Sequence, residues 1–202
     1  YLSQFSENTA EKIIFPKTYD FKSLNEYKKY LPLVLKPISG GSSVEINILN
    51  NENDLNHFKD KLFSNQFIVE PLVGNRELTV SVLENKPLVV TEIISKKNFF
   101  YDYNSKYSSN GSLHILPAKI PNKIYNKVIK WAKLAHELLG CSGISRSDFR
   151  YDDSKDTLYM LEINTQPGMT KTSLSPEQAE YCGITLTELV EKLISKAKFE
   201  KV

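Results

Sequence analysis

Cysteine is nearly missing from this 202-residue chain, which has only Cys141 and Cys182. That is too few for the disulfide framework of a small secreted domain, although a single pair stays open. Histidine is as sparse: His57, His114 and His136 stand far apart with no cysteine at ligand spacing, so zinc is not expected. Charge of one sign is lacking too, because 26 basic against 24 acidic residues leave only +2. Neither nucleic acid nor a membrane surface is therefore an expected partner. Long apolar runs are absent; the strongest, Pro87 to Ile94, is broken by Thr91 and Glu92 and is too short to span a bilayer. The start, Tyr1-Leu2-Ser3-Gln4, has neither a basic cluster nor an apolar stretch. As written it carries no signal peptide, and a reducing, cytoplasmic setting is the expectation. Arginine is rare among the cations, at Arg76, Arg146 and Arg150 only, so each marks a position to examine.

What remains is ordinary globular material, 41% hydrophobic and 25% charged with 9 Pro and 8 Gly, which excludes long disorder, collagen-like repeats and a coiled coil. The length suits one large domain or two small lobes. Residues 1–14 are polar without periodicity and read as a ragged end. Ser23 is expected to cap a helix to about Leu31, followed by a buried strand over Pro32–Pro37, a small-residue loop over Ile38–Ser43 and a strand over Val44–Leu49. Asn51 or Asn53 caps a helix to about Phe63. Gln66–Pro71, Arg76–Glu84 and Pro87–Ile94 read as strands, with a hairpin at Asn85-Lys86. A long loop dense in aromatics covers 96–112. Pro121 opens a helix to Leu139 whose apolar stripe is Ile124, Val128, Trp131, Ala135 and Leu138, with Gly140 as its stop. Strands at Gly143–Tyr151 and Thr157–Asn164 and helices at 175–181 and 185–198 complete an α+β order.

Four segments suit chemistry. On Gly143–Tyr151, alternation gives Ile144, Arg146, Asp148 and Arg150 one face; on the next strand it gives one face to Leu158, Met160, Glu162 and Asn164. With the turn centred near Lys155, Asp148 falls opposite Glu162. Facing carboxylates repel unless a hard cation such as Mg²⁺ joins them, and Asn164 offers a further oxygen. A solvated face neutralised by the arginines is an equal alternative. Lys36 precedes Gly40-Gly41-Ser42-Ser43, a loop with free amides and hydroxyls that suits phosphates. An ordinary flexible turn reads as well. Gln66–Glu77 carries Glu70 and Glu77 at strand ends, where they could meet an adenine edge and a ribose or simply face water. Glu162–Leu174 runs into a Pro167-Gly168 turn able to aim N–H groups at an oxyanion, or merely to join a strand to a helix capped by Ser175.

In this order, Lys36-Pro37 with Gly41-Ser42-Ser43, Gly74 with Arg76-Glu77, Tyr101-Asp102-Tyr103 with Lys106-Tyr107, and Glu162-Ile163-Asn164-Thr165 with Pro167-Gly168-Met169-Thr170 resemble the D-alanine–D-alanine ligase family. The likeness is to its ATP-grasp portion and runs from about Leu33 to Ala197. The resemblance implies two lobes with mixed or antiparallel sheets, flanked by helices, and ATP between them. It implies a lead-in over 1–32, a small lobe over 33–95 and a large lobe over 96–202 with a lid at 97–112. Lys36, Lys106, Ser42 and Ser43 would meet the phosphates, Glu70 and the backbone near Leu72 adenine, and Glu77 the ribose. Asp148, Glu162 and Asn164 would hold two Mg²⁺ ions, for which Mn²⁺ can substitute. Arg146 and the Gly168 amide would stabilise an oxyanion, Ser173 would hold the second alanine, and Tyr107 would reach Ser42 and favour an amine nucleophile over D-lactate.

Three positions depart from the family pattern: Glu45 replaces a usual glycine, Pro71 removes a donor at the adenine hinge, and Ser147 replaces an apolar residue. The family's N-terminal domain has no counterpart before Leu33, so the expected partners are ATP, D-alanine and that domain, on this or another chain. A homodimer stays open. A non-catalytic nucleotide-binding remnant and a ligase for another amino acid are the alternatives, and the retained carboxylates favour catalysis.

Overall fold

Two hydrophobic clusters, each built by alternating apolar residues on antiparallel strands, organise the chain. A computed structural model describes residues 12–39, 45–95 and 112–197. The described residues divide into two compact units: 12–15, 74–94 and 113–197 belong to the first, and 16–39, 45–73, 95 and 112 to the second. This cuts the chain elsewhere than the expected lobes at 33–95 and 96–202. The reason is pairing: the strand beginning at Arg76 runs beside the strand beginning at Ile144 over eight register pairs.

In the second unit, helix α1 (Leu24–Lys28) precedes β1 (Leu33–Pro37), β2 (Asn47–Leu49), α2 (Glu52–His57), α3 (Lys59–Leu62) and β3 (Phe67–Pro71). The strands lie in the order β2-β1-β3, all antiparallel. Tyr27, Leu33, Leu35, Leu49, Leu55, Leu62 and Val69 form its core. Several expectations are corrected in detail. Ser23 occupies the N-cap of α1, but its hydroxyl donates to Glu26 Oε2 at 2.9 Å instead of accepting a helix N–H. The second strand starts at Asn47 rather than Val44, after Glu45 at φ 61°. Asn51, not Asn53, caps α2 by accepting from the Asp54 N–H, and a break at Phe58 divides the expected single helix.

The first unit contains β4 (Arg76–Leu83), β5 (Lys86–Pro87), β6 (Thr91–Ser95), β7 (Ser112–Ile115), α4 (Asn122–Leu138), β8 (Ile144–Asp152), β9 (Thr157–Asn164), α5 (Leu174–Tyr181) and α6 (Leu186–Lys196). Its six-stranded sheet runs β7-β6-β4-β8-β9, with β5 beside β4. The expected hairpin forms, but its turn is Glu84-Asn85, both at positive φ, one residue before the expected Asn85-Lys86, and Lys86 opens β5. The strand expected over Pro87–Ile94 is interrupted instead, and β7 had no alternation to announce it.

Leu78, Val80, Val82, Phe149, Leu158 and Met160 on one sheet face pack against Ile124, Val128, Trp131 and Ala135 of α4. Leu138, placed on the same stripe by spacing, is only half-buried. Ile13 is buried in this cluster and Ile14 C=O accepts from the Met160 N–H, so the end of the supposed ragged segment is part of the core. Leu83, Ile144, Ala179 and Leu189 form a smaller cluster under α5 and α6 on the opposite face. Thr185 and Glu188 close a reciprocal capping box on α6. No helix of the described residues is long and apolar enough to cross a membrane.

Candidate active site

The face of the β4-β8-β9 sheet away from α4 carries the polar residues. Pairing sets Asp148 against Glu162 and Arg146 against Asn164, as the turn arithmetic requires. The route differs from the expected one. Phe149 pairs with Met160, so Leu161 is an extra residue in a β-bulge. Leu158 and Met160 therefore enter the core while Glu162 is exposed; the single face expected for Leu158, Met160, Glu162 and Asn164 is split by that bulge.

Arg146 holds Asp148 with a two-pronged fork, Nε to Oδ1 at 2.9 Å and Nη2 to Oδ2 at 2.8 Å. The hydroxyl of Thr79, on the neighbouring β4, donates to the same Oδ1 at 2.6 Å. Asn164 Oδ1 accepts from the Gln166 N–H at 2.9 Å, which shapes the start of the loop. Two carboxylates and a side-chain amide oxygen on adjoining strands are hard donors of the kind Mg²⁺ takes, so the residues fit such an ion. Among the described residues no group of three or more His, Cys, Asp or Glu converges, which sets this mixed set apart from a zinc-type site.

Further along, the buried Arg150 donates to Glu77 Oε2 at 3.3 Å and to the Gly74 C=O at 2.9 Å. Gly74 is at φ +60°, and a Cβ there would lie 2.9 Å from the Tyr151 carbonyl carbon, so only glycine brings that C=O to Arg150. Arg76 forks onto Glu92 at 2.7 and 2.6 Å, which raises the Arg76 pKa further. Each of the three arginines thus has its own acid.

The loop after β9 joins two of the expected site residues. A Cβ on Gly168 would come within 2.9 Å of Ser173 Oγ. That oxygen accepts from the Thr170 N–H at 3.1 Å and pairs with Thr170 Oγ1 at 2.8 Å. Ser173, rather than the expected Ser175, stands at the N-cap of α5; Ser175 is buried, 2.7 Å from Ser81 Oγ. Sequence reading passed over Thr79, the Arg150–Glu77 pair and the wholly buried Gln178 of α5. Only the alternation of Glu77, Thr79 and Ser81 on β4 could have pointed to the first.

In the second unit, Lys36 Nζ lies 2.7 Å from Glu70 Oε2, so two residues expected at a nucleotide pair with each other. The Leu72 N–H donates to the Pro32 C=O at 3.1 Å, a bond that would have to be exchanged for one to a base edge. Glu45, the unusual acid, pairs with Lys61 at 3.1 Å, and its left-handed backbone is one that glycine takes without strain. Ser42, Ser43, Lys106 and Tyr107, with the rest of the expected lid, lie outside the described residues.

Residues 8–195 match the family described as the C-terminus of D-ala D-ala ligase. The chain is 47% identical over 169 residues to a D-alanine–D-alanine ligase of Rhodospirillum rubrum, covering 83% of this chain and 55% of that protein. It is 41% identical over 194 residues to one from Rickettsia canadensis, covering 96% of this chain and 54% of that protein. Among solved structures it resembles the D-alanine–D-alanine ligase of Bacillus anthracis complexed with ATP, with TM-score 0.71 and 27% identity over 91% of this chain and 61% of that one. The chain thus spans about half the length of the curated relatives it matches.

Proposed function

Because the chain belongs to the D-alanine–D-alanine ligase family, whose α+β ATP-grasp fold it shares, we propose that it is the ATP- and Mg²⁺-binding part of an enzyme joining two D-alanines for peptidoglycan synthesis. In this reading the γ-phosphoryl group passes from ATP to the carboxylate of one D-alanine, giving ADP and an acyl phosphate. The amine of the second D-alanine attacks the acyl carbon, the C–N bond forms, inorganic phosphate leaves and the amine proton passes to solvent. Phosphoryl transfer of this kind asks a protein for positioned charge more than for covalent help.

The observation that carries the reading is the opposition of Asp148 and Glu162, with Arg146 and Thr79 already bonded to the first. An idle sheet face has no physical reason to set two carboxylates against each other. Asp148, Glu162 and Asn164 would hold the Mg²⁺, which when bound neutralises charge on the phosphate oxygens. Arg146 and the Gly168 N–H would face the developing oxyanion, for which a planar, always-charged guanidinium is well suited. Ser173, hydrogen-bonded beside Gly168, would take the carboxylate of the second D-alanine. Glu77 would meet the ribose. Lys36, Ser42, Ser43 and Lys106 for phosphates, Glu70 and Leu72 for adenine, and Tyr107 for the lid enter by their place in the family pattern.

Calorimetry on the 202-residue chain tests this. ATP binding that weakens strongly in EDTA and in Glu162→Gln is expected, together with very low D-alanine ligation until an N-terminal domain is supplied. Equal binding in all three conditions would remove the metal assignment.

A further inference from the structure

Thr79 and Gln178 connect in series to Asp148, and both are fully buried. Thr79 is the register partner of Asp148 across β4 and β8. Its single hydroxyl proton has two acceptors in range, Asp148 Oδ1 at 2.6 Å and the Ser147 C=O at 3.2 Å. The shorter, charge-assisted contact takes it. Arg146 grips the same carboxylate from within β8, so donors on two strands fix its plane. A threonine is stiff at χ1, and the direction of its hydroxyl is therefore set by its backbone.

That backbone needs support from outside the sheet. β6 pairs with β4 from Glu77 to Thr79 and no further, and β5 takes over only at Val82. In the gap, the side-chain amide of Gln178 occupies the place of a missing peptide group. Its Oε1 accepts from the Ser81 N–H at 2.7 Å, and its Nε2 donates to the Thr79 C=O at 3.2 Å and to Thr91 Oγ1 at 3.0 Å. All its polar atoms are engaged inside the protein, as a buried amide requires. Gln178 sits on α5, the helix that starts beside Ser173.

We propose that Thr79 and Gln178 are positioning residues for the Asp148 carboxylate: Thr79 orients it directly, and Gln178 fixes Thr79 by bridging the break in the sheet. The proposal rests on the reading of Asp148 as a metal ligand. It also ties the Gly168–Ser173 loop to the metal side of the face through one helix. Outer partners of metal ligands commonly alter affinity by about 10–100-fold when removed.

The test measures Mn²⁺ binding to the full chain by electron paramagnetic resonance, with a non-hydrolysable ATP analogue present, and analogue affinity in EDTA alongside. The variants are T79V, which keeps shape and deletes the hydroxyl, T79S, which keeps the hydroxyl, Q178M and E162Q. We expect T79V to weaken Mn²⁺ binding by about 10–100-fold with metal-free analogue affinity unchanged, and T79S to restore it to about the wild-type value. Q178M should weaken Mn²⁺ several-fold and speed hydrogen exchange at the Ser81 amide; T79A replaces T79V should the latter fail to fold. If E162Q loses Mn²⁺ while T79V and Q178M bind like wild type, the positioning role is overturned and the metal reading survives. If E162Q itself binds Mn²⁺ normally, the metal reading fails and this proposal falls with it.

Discussion

Asp148 faces Glu162, and not Leu161, because β9 bulges by one residue between Met160 and Glu162. Asp148 is bonded to Arg146 and Thr79. Asp148→Asn strips a largely buried guanidinium of this counter-charge and should cost about 1–3 kcal/mol. Urea unfolding in EDTA checks this; an unchanged midpoint would contradict it.

Gly74 and Gly140 share φ +60° but not surroundings. A Cβ at Gly140 meets nothing within 4 Å, so Gly140→Ala should cost only the left-handed strain, about 1–2 kcal/mol. At Gly74 the added carbon meets backbone atoms of Tyr151, which have no free rotation to escape. Gly74→Ala should cost clearly more, and thermal unfolding of the pair gives the comparison.

Gly168→Ala drives a methyl against Ser173 Oγ and should cost about 1–3 kcal/mol as overpacking. Ser173→Ala removes the obstructing oxygen together with its bonds to Thr170. The double variant should consequently lose less than the two single losses combined, a coupling of about 0.5 kcal/mol or more. Strict additivity in urea midpoints would mean that the loop moves aside.

His136 is buried on α4, with Nδ1 2.7 Å from Ser145 Oγ, and burial lowers its pKa from 6.5, partly opposed by Glu137. Well above pH 6.5 neither state is charged there and its contribution is complete. As the pH falls below that value the unfolded chain takes up the proton first, so stability drops until the folded value is passed. The urea midpoint should fall between pH 7.5 and 5.5, and His136→Gln should flatten that dependence.

Much of the fold could be read from local pattern. The helix over 122–138 carries a clean apolar stripe and a glycine stop, and the hairpin turn holds Asn85, a residue type that accepts positive φ. What escaped depends on partners distant in sequence. Ile13 looked like the end of a polar segment because its burial comes from β9, more than a hundred residues later. The bulge at Leu161 left no trace in composition: an arithmetic centred on Lys155 found the right opposition of acids while assigning the wrong face to Leu158 and Met160. Gln178 was illegible for the same reason, since a glutamine on a helix announces nothing until the gap beside β4 is seen.

The interleaving of the two units bears on the order in which the chain acquires structure during synthesis. The strands β1, β2 and β3 of the second unit pair with one another, all before residue 74. That sheet can form while the rest of the chain is still being made. The first unit cannot: β4 must wait for β8, and the segment at Ile13 must wait for β9. Through that interval Leu78, Val80 and Val82 have no sheet partner on the β8 side, a period of exposed apolar strand during which aggregation competes with folding. Slower translation after residue 83, or a chaperone that covers β4, would act on this stretch.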